Sequence, residues 1–182
     1  MIAESTTYSG ASRSGENELS LTGPVFIELL QATLAKGVPF RFRAGGSSMH
    51  PFIKDGDLIT VSPLGADSPG LGDVVAFVQR ESEKLVVHRM IGSKVNSYFM
   101  KGDDTTGGDS PVPTANLLGL VTRVERGRKR VFIGLDPERV LIALLTRYGL
   151  AVPLVRVTAK LLRPIRYIVM ALFVPFQRMG SS

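Results

Sequence analysis

Cysteine is absent from this 182-residue sequence, and histidine occurs only twice. The first absence removes disulfides, thiolate metal sites and a cysteine nucleophile together. It leaves the compartment open. The second leaves a poor ligand set, because His50 and His88 have different neighbours and no thiolate to join them; no metal and no cofactor is expected. No uncharged apolar run reaches the roughly 20 residues that a spanning helix needs. The opening, MIAESTTYSGASRSGENELSLTG, is polar and reads as neither a signal peptide nor an anchor. There is no repeat period and no helix-turn-helix candidate ahead of the β-rich segment. The basic run Arg126-Gly127-Arg128-Lys129-Arg130 lacks an aromatic reading surface, so nucleic acid is not an expected partner.

What is present fits a folded chain with one good core. The composition is 44% apolar and 21% charged. Charge is distributed unevenly. Residues 1–122 hold 10 Lys/Arg against 13 Asp/Glu, and residues 123–182 hold 12 against 3. A basic segment of this kind suits nucleic acid or anionic lipid, and its apolar content favours lipid.

The pattern along the chain divides it into four parts. Residues 1–21 read as a flexible polar leader. Residues 22–37 read as a short helix, with Thr22 as N-cap, an early Pro24 and Gly37 as the stop. Phe26, Leu29, Leu30 and Leu34 share a face of it that should dock on a core. Residues 38–135 read as β. PFRFRA alternates, and DLITVSP, GDVVAFVQ, KLVVHRMIG, SYFMKGD and LLGLVTRVER are short β-branched runs between Gly, Pro, Asp and Ser clusters. Such runs predict a mainly β fold, a compact and strongly curved β domain. Residues 136–182 form a helix-prone, apolar, arginine-interrupted tail. Each Arg at a bilayer centre costs about 2.5–3.5 kcal/mol, so Arg147, Arg156, Arg163 and Arg166 argue against a span. An amphipathic helix lying in the membrane interface is expected instead; a helical pair folded back on the β domain is the alternative.

Four pieces could carry chemistry: GGSSMHP at 45–51, VVHRM at 86–90, KGDD at 101–104, and Asp109 in GGDSP. A serine hydroxyl needs a base to become a nucleophile. His88 lies in a predicted strand, a more rigid platform than the loop that holds His50. An imidazole titrates near about 6.5 and can take a proton at neutral pH, once a third group fixes its tautomer. Asp103 and Asp109 are the carboxylates within reach. Taken singly, His88 on the apolar face of its strand reads as a core residue, and the aspartates read as turn residues.

In combination, Ser48-Met49-His50-Pro51, Asp55-Gly56-Asp57, Gly72-Asp73-Val74-Val75, Val87-His88-Arg89 and Lys101-Gly102-Asp103 resemble the signal peptidase I family. The resemblance runs from about Arg43 to Val124. It implies a serine endopeptidase of signal-peptidase and repressor-protease type that cuts a precursor polypeptide after small residues. His-Arg at this point is similar to the histidine-base members of endoplasmic-reticulum, archaeal and sporulation type. The resemblance makes Ser48 the nucleophile, His88 the base, and Asp103 and Asp109 the acidic partners, with Asp109 preferred to orient His88. Gly46, Ser47 and Met49 form the oxyanion and substrate loop.

Three features depart from that pattern. Gly46 stands where many relatives have a serine that helps hold the oxyanion. The usual N-terminal span is missing. The long basic tail is unaccounted for. The expected protein is therefore a membrane-associated protease that meets the membrane surface through its C-terminal tail. The alternatives are a cytoplasmic-face processing protease for one dedicated precursor, and a non-catalytic peptide-binding scaffold.

Overall fold

The computed structural model describes residues 8–9, 20–21 and 23–150, apart from 66–67, 81, 108–110, 133 and 136. It is mainly β, an antiparallel sheet of eight strands with two helices. The elements are β1 (Tyr8–Ser9), β2 (Ser20–Leu21), α1 (Gly23–Ala35), β3 (Phe40–Arg43), β4 (Leu58–Pro63), β5 (Val74–Gln79), β6 (Lys84–Lys94), β7 (Ser97–Lys101), β8 (Val112–Pro113), β9 (Leu117–Arg126), β10 (Lys129–Val131) and α2 (Arg139–Arg147). The sheet runs β3-β4-β9-β5-β6-β7-β8, with β10 added to β9. Register shifts at Thr60/Val61, Ala76/Phe77 and Met90/Gly92 mark irregularities that bend and twist the strands locally.

The sheet buries both faces, and β5 records this in its sequence. Val74 and Ala76 point into one apolar cluster, Val75 and Phe77 into another. Side chains that alternate between two buried faces make the run VVAF apolar throughout rather than alternating. α1 closes the first cluster. Phe26 is packed edge-on against Phe42, with ring centroids 5.2 Å apart, and Leu30 is fully buried. Each such side chain contributes about 1.5–3 kcal/mol by leaving water. The helix ends as expected at Gly37, whose φ of 76° is left-handed. The N–H of Gly37 reaches Leu34 O and that of Val38 reaches Thr33 O, a paired C-terminal cap.

Three expectations need correction. The buried stripe of α1 is Phe26, Ile27, Leu30 and Leu34; Leu29 is exposed. Residues 26, 30 and 34 set the stripe, and it widens toward 27 rather than 29. The leader contains structure, since Tyr8–Ser9 pairs with Ser20–Leu21 beside the edge strand β3. The start of the tail is docked on the β domain: α2 packs against β6 and buries Ile142, Ala143 and Thr146. Thr22 and residues 151–182 lie outside the described residues. No helix among those described is long and apolar enough to cross a membrane.

Candidate active site

The Ser48 loop leaves β3 at Arg43 and is tied to the turn at 54–57. Ala44 N donates to Asp57 O and Gly56 N to Ala44 O, both at 2.8 Å. Gly46 adopts φ +88°, a conformation that a side chain disfavours, and its N–H donates to Asp55 Oδ1 at 2.9 Å. Gly46 is thus favoured by the backbone of this loop. Met49 and Ile53 are buried in the first core cluster and pin the loop from beneath. Ser47 and His50 are exposed, and Ser48 is half-buried. Neither the hydroxyl nor the N–H of Ser48 is hydrogen-bonded to a described residue.

An ion pair braces this loop from below. Arg126 Nε donates to Asp57 Oδ1 at 2.9 Å and NH2 to Oδ2 at 2.7 Å. Arg126 NH2 also reaches Phe52 O at 3.2 Å, within the loop itself. Its hydrogen bonds to the Asp57 carboxylate hold the Arg126 guanidinium above its ordinary pKa.

His88 sits on β6 opposite Val75 of β5. It is 8% exposed and lies edge-on to Phe77, with ring centroids 6.2 Å apart. The turn after β7 then joins the two residues. Asp104 N donates to Ser48 O at 2.8 Å. A Cβ placed on Gly102 would stand 2.7 Å from Ser48 O, 2.9 Å from Thr105 Cγ2 and 3.1 Å from His88 Nε2. Glycine is needed at 102 because the carbonyl of one residue and the ring of the other both press on it. Ser48 and His88 are neighbours across Gly102.

Both residues also line one cleft of about 290 Å³. Its walls are consecutive residues, Ala44-Gly45-Gly46 on one side and Lys84 to His88 on the other. Consecutive residues of a strand point to opposite faces, so a wall made of them is a strand edge, not a strand face. β7 joins β6 only from Arg89 onward, which leaves this stretch of β6 uncovered by it. Phe42, Met49 and Ile53 form an apolar floor.

The acidic residues are placed differently. Arg89 is fully buried and grips Asp103 with both ends of its fork: Nε to Oδ1 and NH2 to Oδ2, each 2.8 Å. Arg89 NH1 donates to the carbonyls of Gly72 and Gly134. Thr146 of α2 donates to Asp103 Oδ1 at 2.9 Å. The Asp103 carboxylate is therefore held by Arg89 and Thr146. Asp109 lies outside the described residues. Among the described residues no cluster of His, Asp and Glu could hold a metal ion.

No family model, curated protein or solved structure matches the chain. The site therefore has to be judged on its own geometry. Sequence reasoning did not assign roles to Arg89, Gly102, Asp57 or Thr146. An arginine beside a candidate base, in a strand that leads to Lys-Gly-Asp, was a usable signal for the Arg89–Asp103 pair. Nothing in the sequence marked Thr146.

Proposed function

We propose that this chain is a serine endopeptidase of signal-peptidase type, with Ser48 as nucleophile and His88 as general base. The observation that carries this is the meeting of Ser48 and His88, distant in sequence, on one cleft and across one glycine. In the reaction, Ser48 Oγ attacks the scissile carbonyl while His88 takes its proton and then passes it to the leaving amine. Water hydrolyses the acyl-enzyme by the reverse use of His88. Serine–histidine hydrogen bonds are often long in a free enzyme and tighten on substrate, which fits a Ser48 hydroxyl with no partner among the described residues. The Ser48 N–H is the oxyanion donor. Asp109 is the candidate to orient His88, because the Asp103 carboxylate is committed to Arg89 and Thr146.

The substrate is a precursor polypeptide bound as an added strand between the two edges that wall the cleft. A cleft of this volume over Phe42, Met49 and Ile53 favours small apolar side chains before the cut. The protein meets a membrane surface through its basic C-terminal part. α2 contributes an outward face of Val140, Leu141, Leu144 and Tyr148, all exposed, with Arg139 and Arg147 beside it.

A second reading, a non-catalytic peptide-binding module, is favoured by one feature. Gly46 offers no hydroxyl to an oxyanion, and its N–H is already taken by Asp55. One missing donor costs about 2.7–4 kcal/mol of transition-state stabilisation. Cleavage of a short Ala-x-Ala peptide by wild type, Ser48→Ala and His88→Ala separates the two. The protease reading expects turnover by wild type alone; equal residual activity in all three would sink it.

A further inference from the structure

One buried side chain of α2 touches the site, and neither the catalytic roles above nor the family resemblance uses it. Thr146 is 2% exposed. A β-branched hydroxyl residue is an ordinary helix former at best, and a buried hydroxyl without a partner is costly. Here it has one: Thr146 Oγ1 donates to Asp103 Oδ1, 43 residues away in the chain. That oxygen also receives Arg89 Nε. Arg89 follows His88 on β6, and Asp103 follows Gly102, the residue wedged between Ser48 and His88. The hydroxyl therefore completes a buried network whose two other members each adjoin a contact of the Ser48–His88 pair. α2 is held in register for this bond by further contacts. Arg139 NH1 lies 3.1 Å from Asp73 Oδ1, and Gly72 abuts the Arg139 carbonyl so closely that a Cβ there would stand 2.6 Å from it.

We propose that Thr146 is a positioning residue for Ser48 and His88. It acts through Asp103, fixing the carboxylate so that Arg89 and the Gly102 turn hold His88 against the Ser48 loop. The inference rests on the serine-protease reading. It makes α2 part of the catalytic unit: the helix that presents an apolar face outward holds the dyad inward.

The test compares full-length Thr146→Val, Thr146→Ser and Ile142→Ala. Valine keeps the shape and removes the donor, serine keeps the donor, and Ile142→Ala loosens α2 without touching Asp103. Peptide turnover and the rate at which a serine-reactive probe labels Ser48 are read at matched folded fraction. Misplacing reacting groups by a fraction of an ångström to an ångström costs about 10- to 100-fold, so Thr146→Val should lose that much in kcat with KM within about twofold. Its labelling rate should fall in step. Thr146→Ser should recover most of the loss, and Ile142→Ala should lower Tm while keeping kcat. If Thr146→Val does not fold, Thr146→Ala, which also lacks the donor and shares with Thr146→Ser the loss of the methyl, takes its place with the same expectation. A donor-deleted variant with wild-type kcat, or an Ile142→Ala that loses as much as it does, overturns the proposal and leaves the protease reading standing. A wild type that neither cleaves nor labels overturns both.

Discussion

The two walls of the cleft are each braced by an arginine–aspartate pair, and the pairs are built differently. Under the strand wall, Arg89 and Asp103 have side chains that are 0% exposed. Under the loop wall, Asp57 is 2% exposed but Arg126 is 39% exposed. Both pairs are two-pronged, so geometry does not separate them. Solvent does. Breaking a fully buried pair strands a charge in the interior, whereas a half-exposed arginine can return to water. Phe52 bridges the two, giving its carbonyl to Arg126 and its ring, at 5.5 Å, to the Arg89 guanidinium. His88 is thus placed by a buried network, and Ser48 by a loop whose fixing bonds reach the surface. A loop of that kind can adjust while the strand that carries His88 stays still.

Substitutions can break this comparison at several depths. The largest effect belongs to the dyad itself. Ser48→Ala and His88→Ala should each lower peptide turnover by about 10³-fold or more, Ser48→Ala with an unfolding midpoint close to wild type. Next, Asp103→Ala strands the buried Arg89 and should cost about 3–5 kcal/mol in urea unfolding. Gly102→Ala forces a methyl against Ser48 O and His88 Nε2; it should cost about 1–3 kcal/mol and slow probe labelling of Ser48 more than its stability loss explains. Asp57→Ala removes the acceptor for Lys54 N as well as for Arg126, and should cost about 1–2 kcal/mol. Should Asp57→Ala cost as much as Asp103→Ala, burial does not rank the pairs. The smallest effect is at Arg41, 47% exposed beside Glu125; Arg41→Ala should change stability by at most about 1 kcal/mol, and less at high salt.

Much of this arrangement was legible in the sequence. The strand runs and the stop at Gly37 followed from local patterns. Local patterns report which residues want to be buried and where the chain turns. They do not report which distant groups meet. Asp103 looked like a carboxylate for His88 because both lie near one turn, yet the two-pronged fit of Arg89 takes it. Thr146 was illegible for the same reason, since its partner is set by how α2 docks on β6. The tail's first helix was expected on a membrane because its composition is apolar and basic. Its inner face, Ile142, Ala143 and Thr146, packs on the protein, the alternative the sequence also allowed, and its outer face is exposed.

The central claim is that Ser48 is a nucleophile activated by His88, and covalent labelling tests it most directly. Full-length protein would be exposed to a serine-reactive fluorophosphonate and the adduct mapped by mass spectrometry, with Ser48→Ala and His88→Ala alongside. A single adduct on Ser48 in wild type, lost in Ser48→Ala and strongly slowed in His88→Ala, is the predicted result. Wild type that takes no adduct at Ser48, or takes it at the same rate without His88, would contradict it.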